Sequence, residues 1–210
     1  MGAMAGLAGA GLAGPSAPAQ TAPAAGGGGR FKQSVSRWCY DSMSLDELCE
    51  QAKAIGLKGI DLLDEPDWEI VIAHGLEVAM PNGPGGIKDG WNDPKNHRDL
   101  YKKSEELIPK IAALGIKNMI VLSGNRRGMS DEDGLKNCAA GLKQLLPMAQ
   151  KANVTLVMEL LNSKRDHKDY MADRMAWGAA LAEKLGSKHF KLLYDVYHMQ
   201  IMEGDIINTI

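Results

Sequence analysis

The chain has 210 residues, of which 45% are hydrophobic and 24% are charged, and its 24 basic and 26 acidic side chains give a net charge of −2. This composition is typical of a globular domain. The charge balance argues against a nucleic-acid partner, because affinity for a phosphate backbone needs a basic excess or a basic stripe. We also expect no membrane span, since the apolar runs are too short to cross a bilayer.

Residues 1–29 differ from the rest of the chain, because they lack charged side chains and consist mostly of alanine, glycine and proline. Such a segment cannot bury enough apolar area to offset the entropy that it would lose on ordering. Residues 4–14 resemble the apolar part of an export signal, although no basic residue precedes them. We expect residues 1–29 to be a signal-like or disordered segment outside the fold, which leaves a cytoplasmic or a periplasmic location open.

From residue 30 onward, short runs rich in Val, Ile and Leu alternate with longer segments of helical periodicity. This alternation predicts an α/β fold with a parallel sheet. Ser44 and Ser130 each begin a capping-box pattern and mark the starts of two of the helices. The six predicted strands cover residues 31–36, 57–63, 76–81, 118–123, 154–159 and 189–195.

The glycine fingerprints of doubly wound nucleotide-binding sheets do not follow the first predicted strand. A (β/α)₈ TIM barrel fits better, because its site collects residues from the carboxyl ends of several strands. Such a barrel needs roughly 250 residues. We therefore expect residues 30–210 to form one incomplete TIM barrel domain, truncated after about six βα units, and we expect this truncated chain to be inactive and poorly stable.

Glu159 and Asp195 are lone carboxylates, each at the end of an apolar predicted strand. Burial of an unpaired carboxylate costs on the order of several kcal/mol. Two of them in matching positions, one βα unit apart, predict a cation between them, and a divalent metal is the simplest one because hard cations prefer oxygen ligands. The alternatives are a Glu159 paired with Lys164 or Arg165, and an Asp195 that caps a loop or forms an ion pair.

Four more side chains follow other predicted strands and are expected to face the same mouth of the barrel. Arg126 or Arg127 could clamp a substrate carboxylate bidentately, and Lys88 is a further candidate for that role. Trp38 could form an apolar wall, and the glycine-rich segment 82–91 could close as a lid. The alternatives are arginines that pair with nearby acids, a plain linker at residues 82–91, and a tryptophan that fills the core.

Five strings of the sequence, in order from residue 30 to the end, resemble the hydroxypyruvate isomerases, a family among the xylose isomerase-like TIM barrels of sugar isomerases and epimerases. They are RFKQSVSRW at 30–38, NGPGG at 82–86, SGNRRG at 123–128, MELLNSK at 158–164 and YDVYHMQ at 194–200.

The resemblance implies a metal-dependent isomerase, an intramolecular oxidoreductase that interconverts hydroxypyruvate and tartronate semialdehyde by ene-diolate proton transfer. It implies Mg²⁺ or Mn²⁺ held by a Glu after strand five, an Asp after strand six, a His or Gln after strand seven and a Glu after strand eight. Glu159 and Asp195 match the first two ligands, and Glu159 also matches one of two acid-base carboxylates. His198 matches a histidine that contacts a substrate oxygen.

Two other functions stay open, because the metal and the acid-base groups are shared across this superfamily: a keto-sugar 3-epimerase or isomerase, and a catalytically inactive sugar-binding barrel. Apurinic endonucleases of the same barrel type need a histidine-rich zinc cluster and a basic groove, which five scattered histidines and a net charge of −2 argue against. The expected partner is a small keto-acid or keto-sugar, and a homo-oligomer is left open.

Overall fold

The computed structural model describes residues 31–210, so the expectation for residues 1–29 lies outside the described part of the chain. The strands are β1 (Ser34–Ser36), β2 (Gly59–Leu63), β3 (Glu77–Pro81), β4 (Asn118–Val121), β5 (Thr155–Glu159) and β6 (Phe190–Leu193). A 3₁₀ turn covers Arg37–Tyr40, and the helices are α1 (Leu45–Ala54), α2 (Glu65–Ala73), α3 (Pro94–Ala113), α4 (Asp131–Ala152), α5 (Met175–Leu185), α6 (Val196–Met202) and α7 (Ile206–Thr209). All six predicted strands are confirmed, with shorter bounds.

The strands are parallel and follow one another in chain order. They pair as β1-β2-β3 and as β4-β5-β6. Between these two sheets, β3 contacts β4, and the side-chain amide of Asn118 donates to the carbonyl of Ala79 at 2.9 Å. Sequential parallel strands, each followed by a helical segment, are the arrangement of a TIM barrel. The predicted fold class is therefore confirmed for six βα units.

The two capping boxes begin helices where the sequence predicts them. The Ser44 hydroxyl accepts a hydrogen bond from the Glu47 backbone N–H at 3.1 Å, at the start of α1. The Ser130 hydroxyl accepts one from the Asp133 backbone N–H at 3.1 Å, at the start of α4. Each bond satisfies a backbone donor that the first helical turn leaves unpaired, which stabilises the helix by about 1 kcal/mol.

The hydrophobic core lies between the strands and the helices. Ile60 and Leu156 from the strands are fully buried, as are Ile108, Leu142 and Leu181 from the helices. The helices cover the outer face of the strands. The polar groups at the carboxyl ends of the strands therefore face the barrel interior. Within residues 31–210, no helix combines the length and the apolar character that crossing a membrane requires.

The glycine-rich segment 82–91 is fastened to the loop that follows β4. The Trp91 backbone N–H donates to the carbonyl of Leu122 at 3.1 Å, and the carbonyl of Lys88 accepts from the Asn125 N–H at 3.1 Å. The Trp91 side chain is 1% exposed. Backbone hydrogen bonds and a buried ring therefore hold the carboxyl-terminal half of this segment against the loop after β4, and closure of the segment as a lid stays a prediction.

We predict that Gly90→Ala destabilises the fold by about 1–3 kcal/mol, the usual range for overpacking. A Cβ at this position would overlap the carbonyl oxygen of Leu122 and the backbone nitrogen of Gly124. Gly86→Ala is the matched control in the same segment, because a Cβ there meets no atom within 4 Å. Chemical denaturation of both variants measures the difference, and equal stabilities would contradict the close packing of this segment.

Candidate functional site

Parallel pairing brings Glu159 and Asp195 together at one edge of the sheet. Glu159 is the last residue of β5 and lies opposite Leu193, the last residue of β6. Asp195 follows two residues later. One ligand atom from each of Glu159, Asp195 and His198 lies within 4.8 Å of the other two. The structure thus brings together the two carboxylates that the sequence selected and the predicted substrate-binding residue His198.

The two oxygens of the Asp195 carboxylate make different contacts. Oδ1 accepts hydrogen bonds from the backbone N–H groups of Tyr197 at 2.8 Å and His198 at 3.2 Å, so it caps α6. Oδ2 lies 3.8 Å from Nε2 of His198 and faces the cluster. The cap that the sequence left as an alternative is present, and it leaves the second oxygen available to a ligand.

Burial and, to a smaller extent, the negative charge of Asp195 together raise the pKa of the Glu159 carboxyl to about 7. Desolvation disfavours the charged form of an acid, and a neighbouring like charge does so again. A carboxyl group that titrates near neutral pH can both accept and return a proton, as general acid-base catalysis requires. A cation beside it would favour the charged form instead.

The His198 ring is 8% exposed, and its burial lowers the pKa of the imidazole, partly opposed by the nearby Asp195 charge. Two rings pack edge-on against it, His167 at a centroid distance of 5.2 Å and Tyr197 at 5.1 Å. A neutral imidazole offers one N–H donor and one acceptor nitrogen. Its orientation is therefore restricted on two sides before any ligand binds.

The end of β5 is fixed by a buried tyrosine. The Tyr170 hydroxyl donates to the backbone carbonyl of Glu159 at 3.0 Å and accepts from the backbone N–H of Ser123 at 3.0 Å. The Ser123 hydroxyl in turn accepts from the N–H of Ala172 at 3.0 Å. These bonds join the loop after β4, the end of β5 and the loop after β5, so the backbone that carries Glu159 is rigidly supported.

The cluster opens into a cavity of about 760 Å³ at the carboxyl ends of the strands. Trp38 lines it with 64% of its surface exposed, so it does not fill the core. His167, which the sequence gave no role, also lines it. The other polar side chains of the lining are Ser34, Ser36, Asp61, Asn82 and Asn118.

Arg126, Arg127 and Lys88, the predicted partners of a substrate carboxylate, are not among the residues that line this cavity. Arg126 donates to the carboxylates of Asp131 and Asp173. Arg127 is paired with Asp89 at 2.5 Å. The two arginines are thus held by acids that the chain brings from other loops, which was the alternative reading of this loop.

Lys88 lies in a separate shallow depression formed with residues 85–89 and Lys103. The neighbouring Ile87 lines the cavity, whereas Lys88 does not, and the carbonyl of Lys88 accepts from the backbone N–H of Asn125 in the loop after β4. The contact of Lys88 with a substrate carboxylate stays a prediction.

The donor set of the cluster suits a hard divalent cation. Glu159 and Asp195 offer carboxylate oxygens, which Mg²⁺ and Mn²⁺ prefer, and a cation between them would offset the repulsion that raises the pKa of Glu159. Among residues 31–210, this is the group of His, Cys, Asp and Glu side chains whose geometry could hold a metal. The described residues therefore fit the metal that the resemblance implies.

We predict that the metal-free protein loses stability as pH rises from about 4.5 to 7. Folded Glu159 keeps its proton in this range while the unfolded chain releases it, so the free energy of unfolding falls by roughly 2–3 kcal/mol. Glu159→Gln removes this term, whereas Glu77→Gln, at an exposed strand start, keeps it. Urea titrations across this pH range measure the difference between the variants, and a pH-independent difference between wild type and Glu159→Gln would contradict the raised pKa.

Comparison with known proteins identifies the family. The model of the xylose isomerase-like TIM barrel family matches residues 49–210. The chain is 26% identical over 174 residues to a hydroxypyruvate isomerase of Escherichia coli, which covers 76% of this chain and 66% of the relative. It is 34% identical over 192 residues to a 2-oxo-tetronate isomerase of Cupriavidus necator, with 84% and 72% covered. The chain thus spans about two thirds of the length of these relatives.

The fold is shared with solved structures as well. A crystal structure described as an AP endonuclease, family 2, from Brucella melitensis superimposes with a TM-score of 0.76 at 17% identity, covering 85% of this chain and 74% of that one. At that identity the likeness concerns the fold alone. The match of the family model over residues 49–210 establishes that the chain belongs to the xylose isomerase-like TIM barrel family.

Proposed function

We propose that this chain carries the proton-transfer half of a metal-dependent isomerase that acts on a short 2-keto acid, with hydroxypyruvate as the preferred substrate. The single observation that carries the proposal is the convergence of Glu159, Asp195 and His198 within 4.8 Å at the carboxyl ends of β5 and β6. The relatives named isomerases at 26% and 34% identity support the same class of reaction.

Glu159 is the group that would move the proton. Conversion of hydroxypyruvate to tartronate semialdehyde takes one proton from C3 and delivers one to C2, while the hydroxyl proton passes from O3 to O2. A carboxylate next to these carbons can accept the first proton and return it, provided that it titrates near the working pH. The burial of Glu159 and its like-charged neighbour supply that property.

Glu159 and the Oδ2 oxygen of Asp195 would hold a divalent metal. When bound, such a metal supplies Lewis-acid stabilisation of the negative charge that develops on two neighbouring substrate oxygens. Asp195 can serve as a ligand without loss of α6, because its other oxygen makes the helix cap. The resemblance places the remaining ligands and the second acid-base carboxylate on strands seven and eight.

A second substrate class is supported by the same residues. The 2-oxo-tetronate isomerase of Cupriavidus necator has the higher identity of the two relatives, and its substrate is named as a four-carbon acid. The cavity lining includes hydroxyl and amide groups that could bind additional substrate hydroxyls. These groups belong to Ser34, Ser36, Asn82 and Asn118. A keto-sugar epimerase would use the same proton transfer at a different carbon, and a sugar-binding barrel would bind the substrate without exchange.

We predict that Glu159→Gln lowers the rate of substrate C–H exchange with solvent by at least about 10²-fold, the usual contribution of a general acid or base. Deuterium incorporation from D₂O, followed by mass spectrometry with Mg²⁺ present, measures the rate for hydroxypyruvate, 2-oxo-tetronate and a keto-sugar. The protein is the product of the complete reading frame, and Glu77→Gln is the control. Exchange at the wild-type rate in Glu159→Gln would remove this residue from the mechanism, and exchange of none of the three would refute the isomerase.

We predict that Asp195→Asn weakens Mn²⁺ binding at least tenfold, because an amide oxygen replaces a charged ligand. The α6 helix should persist, since Asn is as good an N-cap as Asp. Asp99→Asn, in the exposed face of α3, is the matched control for loss of one negative charge. Calorimetric titration with Mn²⁺ measures all three proteins, and an unchanged affinity in Asp195→Asn would reject its role as a ligand.

A further inference from the structure

The buried amide of Asn162 has an orientation that its own loop fixes. Asn162 lies three residues after Glu159 and has no exposed surface. Its Oδ1 oxygen accepts hydrogen bonds from the backbone N–H groups of Arg165 at 3.1 Å and Asp166 at 3.0 Å. Exchange of the amide oxygen and nitrogen would set a donor against these two donors. The oxygen end of Asn162 is therefore committed to its own loop.

The nitrogen end of the same amide donates to two acceptors. One of its N–H groups donates to Oδ2 of Asp166 at 2.8 Å, and the nitrogen also lies 2.7 Å from Nδ1 of His198. An amide nitrogen can only donate, so Nδ1 of His198 must accept with its lone pair. In a neutral imidazole the proton then resides on Nε2. Rotation of the ring by half a turn would place a carbon against the amide and forfeit this bond.

The Nε2 nitrogen is the one that faces the candidate site. It lies 3.8 Å from Oδ2 of Asp195, on the side of the cavity. Asp166, which receives the second N–H of Asn162, also accepts from the hydroxyl of Tyr197 at 2.7 Å. The edge-on rings of His167 and Tyr197 hold the imidazole plane from two sides. Ring position and proton position are thus set by separate contacts.

We propose that Asn162 is a positioning residue that holds His198 as its Nε2–H tautomer. In this state the ring presents a hydrogen-bond donor to the cavity and has no free lone pair, so His198 is not the third metal ligand of the cluster. A donor at this place can bind an oxygen on which negative charge develops. That use rests on the proposed function, whereas the tautomer itself does not.

The tautomer of wild-type protein is the first test. Long-range ¹H–¹⁵N correlation spectra of the ¹⁵N-labelled, metal-free chain distinguish a protonated ring nitrogen from an unprotonated one. A pH of about 8.5 keeps the ring neutral, since imidazole in model peptides has a pKa of about 6.5. We expect Nε2 of His198 to be protonated and Nδ1 to be unprotonated. A protonated Nδ1 would overturn the proposal without any variant.

Asn162→Asp is the second test, because it replaces the donor by an acceptor of the same shape. The carboxylate can still accept from the backbone N–H groups of Arg165 and Asp166, so these two loop bonds are kept, whereas the bond to Oδ2 of Asp166 is lost. The oxygen that then faces Nδ1 favours a proton on Nδ1, and we expect the tautomer to reverse. Persistence of the Nε2–H form in the folded variant would overturn the proposal.

Tyr197→Phe is the matched control, since it removes a hydroxyl from Asp166 and leaves the amide of Asn162 in place. We expect the wild-type tautomer in this variant, and a reversal there would show that the amide does not determine it. In the complete protein, Asn162→Asp should reduce kcat for exchange more than it changes KM. Wild-type protein could show the expected tautomer and yet exchange no substrate. In that case the proposed function fails, whereas the role of Asn162 in fixing the tautomer of His198 stands.

Discussion

The carboxyl groups of Glu159 and Asp195 approach each other in partly buried positions, where two negative charges repel each other more than they would in bulk water. The parallel register leaves no other arrangement, because Glu159 pairs with the last residue of β6 and Asp195 follows two residues later. The repulsion can be relieved by a proton or by a cation. Proton uptake by Glu159 and the binding of a metal at this cluster would therefore be linked, and each would weaken the other.

Movement of the two carboxylates apart would also relieve this repulsion. Hydrogen bonds to the surrounding backbone oppose such a movement. Tyr170 fixes the carbonyl of Glu159, and Asp195 is anchored by the first turn of α6. The loops above them are joined by a charged network in which Arg126 bonds to Asp131 and Asp173. Arg126, one of the two arginines considered for the substrate, thus joins the loops that hold the site.

The sequence predicts those features that depend on strand ends. Apolar runs mark the strands, and a lone carboxylate at the end of each of two runs must point to the same edge of a parallel sheet. This reasoning locates Glu159 and Asp195 and gives the order of the six βα units. Trp38 follows from the same rule, because it comes directly after β1.

The contacts of long side chains on loops cannot be predicted from the positions of strand ends. Arg127 pairs with Asp89, which is 38 residues away in sequence, and nothing in the pattern selects this acid over a substrate. His167 and Asn162 belong to a loop without periodicity, so the sequence gives no signal of which side chains turn inward. Asn162 could have been noticed only because it lies inside the string that resembles the hydroxypyruvate isomerases.

The two sheets contribute different parts of the cavity. The sheet of β4, β5 and β6 carries Glu159 directly and leads into Asp195, whereas the sheet of β1, β2 and β3 contributes hydroxyl and carboxyl groups to the lining. In β2, a bulge at Leu62, with φ of 57°, places both Asp61 and Leu62 on the cavity, although consecutive strand residues normally face opposite sides.

Ser34 donates to the carboxylate of Asp61 at 2.5 Å, and the burial of Asp61 raises the pKa of its carboxyl group despite that bond. This pair offers the cavity a hydroxyl and a carboxyl group from β1 and β2. Under the proposed function, differences in substrate within this family would arise in β1 and β2, while β5 and β6 would keep the same proton transfer. An isomerase and an epimerase would then differ in how the cavity orients the substrate over Glu159, with the same acid-base group.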